Sequence, residues 1–247
     1  MTAGETHQAI EATFRIERAR LIAGLARMVR NVDVAEELAQ DALVVALAEW
    51  PRTGVPSNPG AWLMAAAKRR AIDTLRHNKM RERKHGEIAR TLDESVDSAV
   101  AEFEAAIDDD LGDELLGLIF TACHPMLSPE ARAALTLRVV GGLTTDEIAR
   151  AFLSSEATIA QRIVRAKKAI AKAGLNFEVP RGAERVARVP SVLEVIYLIF
   201  NEGYAATAGD DLVRPGLCLE AQRLGRIIAG LMPEDAEVLG LVALMEI

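Results

Sequence analysis

The residues best suited to chemistry in this sequence are hydrogen-bonding and cationic side chains at helical spacing. They lie within Leu143–Lys172, LTTDEIARAFLSSEATIAQRIVRAKKAIAK. Thr158, Gln161, Arg162, Arg165 and Lys168 fall away from an apolar stripe of Ile159, Ile163, Ala166 and Ile170. Arg and Lys neutralise phosphates, while Gln and Thr reach base edges in the major groove. Two short helices and a tight turn must position them. Thr145 is expected to cap the first helix, with Asp146 and Glu147 in its positive first turn, and Ile148, Ala149 and Phe152 on its inner face. Ser154 or Ser155 is expected to cap the second. This is the layout of a helix-turn-helix. The same pattern also describes a helical hairpin with a solvated basic face. Leu153 counts against the first reading, because such turns favour Gly or another small residue.

A second cationic set lies in NPGAWLMAAAKRRAIDTLRHNKMRERK, from Asn58 to Lys84. Asn58 and Pro59 start a helix whose apolar half is Trp62, Leu63, Ala66, Ala67, Ile72 and Leu75. Its other half carries Lys68, Arg69, Arg70, Arg76, Lys79, Arg81, Arg83 and Lys84. A basic helix with an aromatic near its start suits an unpaired strand, where cations follow phosphates and rings stack on bases. The plain alternative keeps Trp62 in the core and leaves the charges to solubility. Asp73 is expected to pair with Arg69, Arg70 or Arg76. Upstream, VAEELAQDALVVALAEW presents Glu36, Glu37, Gln40 and Asp41 on one edge. That edge is either ordinary solvated surface or a dock for a basic partner helix.

The net charge of −7 argues against nucleic acid only until its distribution is seen. Residues 68–90 are strongly basic, whereas residues 91–131 hold acids and no Lys or Arg. Cys123 and Cys218 stand apart in apolar contexts, with no ligand or disulfide spacing, so no metal and no cofactor is expected and a reducing cytoplasm fits. Glu202 in NEGY lacks a base partner, and no paired catalytic groups suggest an enzyme. There is no signal h-region and no apolar run of about 20 residues, so the chain is expected to be soluble and off the membrane.

Hydrophobic residues make up 50% of the chain and aromatics only 4%, mostly at helical period, so the fold class expected is all-α. A helical domain spans 6–90, with helices over 6–30 and 34–50, a stop at Pro51, and the basic helix. An acidic linker follows over 91–114, either a solvated tether or a mimic of nucleic acid. A helix-turn-helix domain spans 115–175, in which Ser128-Pro129-Glu130 opens a helix that leads through Gly141-Gly142 to the motif. A Pro- and Gly-containing connector covers 176–190. An acidic helical extension covers 191–247, with a turn at Gly209-Asp210-Asp211 and a stripe of Leu217, Leu224, Ile227, Ile228 and Leu231. Its helix pairs suit tetratricopeptide character, and its apolar end is expected to be the truncated edge of a longer array.

Two nucleic-acid-binding helical units joined by an acidic segment resemble the sigma factors of bacterial RNA polymerase, of the extracytoplasmic-function (ECF) type. AEELAQDALVVALAEWP resembles their region 2 core, PGAWLMAAAKRRAIDTLRHNK the part that melts and reads the −10 element, and LSPEARAALTLRVVGGLTTDEIARAFLSSEATIAQRIVRAKKAI region 4, which reads the −35 element. The tail IYLIFNEGYAATAGDDLVRPGLCLEAQRLGRII is similar to the helical extension of a subgroup of large ECF factors. The resemblance implies a non-enzymatic factor with core RNA polymerase (β′ clamp helices and β flap) and promoter DNA as partners, and a regulatory protein at the extension. It puts Glu36, Glu37, Gln40 and Asp41 on polymerase. It puts Lys68, Arg69, Arg70, Arg76, Lys79 and a loop from His77 to Lys84 on the −10 strand. Thr158, Gln161, Arg162, Arg165 and Lys168 face the −35 duplex. Many members have Arg-Asn where this chain has Lys68-Arg69, and a cation where it has Ala160. The rival reading is a stand-alone helix-turn-helix regulator, which leaves the basic Trp62–Lys84 helix and the acidic segment unexplained.

Overall fold

The computed structural model describes residues 3–83, 111–204 and 215–247, and every described element is an α-helix. The chain forms two compact units, Met1–Leu111 and Gly112–Ile247.

In the first unit, α1 (Ala3–Val29), α2 (Val32–Thr53) and α3 (Pro59–Arg83) all pack on one another. Ile10, Phe14, Leu21, Ile22 and Leu25 of α1 meet Ala35, Leu38, Ala42 and Trp50 of α2 and Leu63, Ala67 and Ala71 of α3, all buried. Small residues on α2 and α3 let the axes approach closely, while the large side chains fill between them. Trp50 and Trp62 meet edge to face, with centroids 5.3 Å apart, so the half-buried Trp62 is anchored against the core by the fully buried Trp50. Pro51 does not stop α2, contrary to expectation. The helix runs on to Thr53, and Gly54 N–H takes the Trp50 carbonyl at 2.9 Å. A proline in the last turn forfeits only one donor there.

In the second unit, α4 (Leu111–Ala122) and α5 (Pro129–Val139) precede α6 (Thr145–Ala151) and α7 (Glu156–Ala173). Three helices follow: α8 (Gly182–Tyr204), α9 (Pro215–Leu231) and α10 (Ala236–Glu246). The acidic stretch read as a linker over 91–114 is helical from Leu111; residues 84–110 and the turn at 209–211 lie outside the described residues. The stretch read as a connector, 176–190, is helical from Gly182. Pro190 sits inside α8, on an exposed stretch where water can serve the carbonyl its ring leaves unpaired.

α5 is buried nearly all round, which an amphipathic surface helix is not. The reason is that α6 and α7 pack on part of its surface and α8 on another. Arg132 bridges the second contact. Its guanidinium donates to Ser191 Oγ and, at 2.8 Å, to Glu194, while Ser191 Oγ donates to the Cys123 carbonyl. Two more arginines cross the same boundary. Arg188 donates to the Phe120 carbonyl at 2.6 Å, and Arg223 to the Val140 carbonyl at 2.9 Å. Each meets the negative end of a helix, α4 or α5, where a cation is favoured. Gly203 permits the close crossing of α8 and α9: a Cβ there would stand 2.8 Å from the Cys218 N and Sγ atoms. The Gly of the NEGY segment is thus a packing residue.

Replacing Arg132 with Ala should destabilise the 112–247 unit by about 2 kcal/mol. That is below the ~3–5 of a fully buried pair because Glu194 is half exposed. Urea unfolding of Arg132→Ala, Glu194→Ala and the double variant should show strong non-additivity; simple addition would mean that the bridge contributes nothing.

Candidate nucleic-acid interface

The helix-turn-helix is assembled by local signals. Thr144, not Thr145, caps α6: its hydroxyl accepts from Glu147 N–H at 3.2 Å, and the Glu147 carboxylate accepts from Thr144 N–H at 2.7 Å. Both threonines are competent caps, and the reciprocal bond to a glutamate three residues on decides between them. Ser155 caps α7, accepting from Thr158 N–H at 3.1 Å. Gly174 closes α7 in the left-handed conformation. Between the helices Leu153 takes φ 47°, the left-handed region that the turn demands and a leucine resists. Its side chain gains no burial in return, being 59% exposed.

The stripe Ile159, Ile163, Ala166 and Ile170 is buried against the rest of the unit. Thr158, Gln161, Arg165 and Lys168 are therefore exposed together on the outer side of α7, and Arg162 is half-buried at its edge. Glu130's own backbone N–H and the Ser128 hydroxyl, with smaller help from the Arg162 and Arg132 charges, hold the Glu130 carboxyl below its usual value. The exposed Val164, 46% accessible, lies among the polar residues of the same face.

In the first unit the expected residues divide differently. Arg69 and Arg70 are exposed and Lys68 is half-buried. Arg70 pairs at 3.2 Å with Asp41 of α2, the helix packed beside it, where the sequence suggests Asp73 as a partner. One expected strand-binding cation and one expected docking acid are thus joined to each other. Glu36 is held inward by Arg18 at 2.8 Å, each about one-seventh exposed, whereas Glu37 and Gln40 face solvent. The backbone stays helical through Arg83, so the loop expected from His77 is helix to that point; the side chains of Arg76 and Lys79 lie outside the described residues.

Residues 14–81 match Sigma-70 region 2, and residues 118–170 match Sigma-70, region 4. The chain carries both sigma-70 domains. Region 2 coincides with the three-helix unit, and region 4 runs from α4 through α7. Residues 188–247 match a family of unknown function, DUF6596, which begins at the arginine that grips the Phe120 carbonyl. An uncharacterized protein of Rhizobium meliloti is 41% identical over 233 residues, covering 92% of this chain and 53% of that protein. The probable ECF RNA polymerase sigma factor SigI of Mycobacterium tuberculosis, in two strains, is 27% identical over 182 residues, covering 73% of this chain and 60% of that one. The chain therefore spans about half to three-fifths of the length of these relatives. No solved structure matches it. Among the described residues of both units no helix is long and apolar enough to cross a membrane, and no cluster of His, Cys, Asp and Glu could hold a metal ion.

The left-handed Leu153 has a measurable consequence for region 4. An exposed Leu→Gly exchange ordinarily costs up to about 1 kcal/mol through backbone freedom. Leu153→Gly should instead be neutral or stabilising by up to ~1 kcal/mol, because it relieves the turn. Thermal and urea unfolding of the variant test this; an ordinary loss would mean the turn carries no strain.

Proposed function

We propose that this chain acts as a sigma factor: it joins core RNA polymerase in the cytoplasm and directs initiation at a defined promoter, while the polymerase performs the chemistry. The observation that carries the reading is the order of the two sigma-70 domains on one chain, each with cationic side chains on an exposed helical face. A stand-alone helix-turn-helix regulator would have no use for the region 2 unit.

In this reading α7 enters the major groove at the −35 element. Gln161 and Arg165 meet base edges, and Thr158, Arg162 and Lys168 hold the flanking phosphates. Lys68, Arg69 and Arg70, continued by Arg76 and Lys79, follow the −10 strand. Glu37, Gln40 and Asp41 form the polymerase-facing edge of α2, and the Arg18 pair sets the position of Glu36 beside it. The chain then belongs with the ECF factors that carry a helical extension. α9 and α10 cover residues 215–246, close to one tetratricopeptide unit of ~34 residues. The extension acts as a platform for a regulatory partner.

Reconstituted transcription with core polymerase and a promoter library tests the whole. Promoter-directed initiation is the expected result, and a chain that never joins core polymerase refutes it. Arg165→Ala should weaken −35-dependent initiation by ~1–3 kcal/mol, roughly 5- to 150-fold, if the guanidinium makes a bidentate base contact. Unchanged output would remove that assignment. Deleting residues 236–247, which spares the α8 and α9 contacts to α4 and α5, should alter transcription while region 2 keeps its hold on polymerase; a variant indistinguishable from the full chain would end the regulatory role of the extension.

A further inference from the structure

The extension carries an open groove of about 1060 Å³ between α8 and the α9–α10 turn. Val189, Leu193, Met232 and Leu241 contribute to its apolar lining, and the exposed side chains of Tyr197 and Leu244 stand on it. Exposed apolar surface gathered in one groove marks a binding face more often than scattered residues do. The volume lies at the upper end of the ~300–1,000 Å³ usual for a small-molecule pocket, and the site is partly open to solvent. The α8 residues that line it run from Arg185 to Tyr197, about 18 Å of helix at ~1.5 Å per residue. That length suits another helix laid into the groove.

The charge of the rim selects the occupant. Glu194, Glu234, Asp235 and Glu237 border the groove against one cation, Arg185. The other described arginines of the extension are engaged internally: Arg188 with Glu184 and Phe120, Arg223 with Glu220 and Val140, Arg226 with Glu246. Glu194 is tied to Arg132, and Asp235 caps α10. Glu234 and Glu237 have no ion pair among the described residues. The half-exposed Tyr197 ring adds a face on which a cation can rest.

We infer that this groove is a docking site for an amphipathic, basic helix of a partner protein. Its aliphatic face lies on the apolar floor, and its Lys or Arg flank meets Glu234, Glu237 and the Tyr197 ring. This deepens the reading of the extension as a partner platform. Its test reads peptide binding rather than transcription, so a failure here leaves the deletion experiment above to decide that reading separately.

The probe is a helical peptide of Leu and Lys, about 14 residues long so that it can hold a helix, beside a Leu and Glu peptide of the same pattern. Fluorescence anisotropy against the full chain should give at least tenfold tighter binding of the Leu/Lys peptide. Because a negatively charged protein attracts any cationic peptide weakly, the site is established by variants at exposed positions. Glu234→Arg with Glu237→Arg should reverse the preference. Leu244→Asp should cut binding of either peptide about tenfold, with an unchanged circular dichroism spectrum. Equal affinity for the two peptides, or Leu/Lys binding untouched by all three substitutions, overturns the proposal. So does a chain that sedimentation shows to be a dimer which Leu244→Asp dissociates, since the groove would then belong to a second copy.

Discussion

Everything in the second unit depends on α5 having no free side. A helix with Ala133, Leu135, Leu137 and Val139 buried at once cannot be satisfied by one neighbour. Each leucine contributes about 1.5–3 kcal/mol only if it leaves water fully. The helix-turn-helix covers part of the surface and α8 covers another. The polar group that falls on the covered side, Arg132, would be costly there alone. The Ser191 hydroxyl and the Glu194 carboxylate make its burial tolerable. The extension is therefore part of the domain that presents the cationic helix.

The electrostatics follow the same logic of commitment. An acidic chain can still offer cations where its acids are already engaged or lie elsewhere. On α7 the stripe is turned in, and Arg165 and Lys168 remain outside with no acid on their own face closer than the first turn. In the three-helix unit the balance differs. Arg70 and Arg18 are tied across helices to Asp41 and Glu36, so part of the apparent charge of that surface is structural. Exposed pairs such as Arg70 with Asp41 are worth at most about 1 kcal/mol, so they can be exchanged for an outside partner at small cost.

Local features were legible in the sequence, and distant ones were not. The period of Ile159, Ile163, Ala166 and Ile170 predicts the buried stripe of α7, and the burial observed agrees. Ser128 caps where its spacing places it, and of the two candidates Ser154 and Ser155 the second caps α7. Thr144 was missed for its neighbour because two adjacent threonines give nearly the same signal. Pro51 suggests a stop and the prolines of 176–190 a connector, yet in α2 the proline falls in the last turn and in α8 Pro190 lies on an exposed stretch of helix. The Arg132, Arg188 and Arg223 contacts join residues 59 to 83 positions apart, and nothing periodic encodes such a distance. An arginine within the apolar run ARAALTL was the one available hint.

The Arg223 contact falls at a telling place. Val140 is the last residue before Gly141-Gly142, the pair that leads into α6. A grip on its carbonyl ties α9 to the end of α5, just ahead of the motif. The end of α5 is thus held from the side of the extension, at the point where the chain turns into the motif, while the caps of Thr144 and Ser155 hold the motif from within.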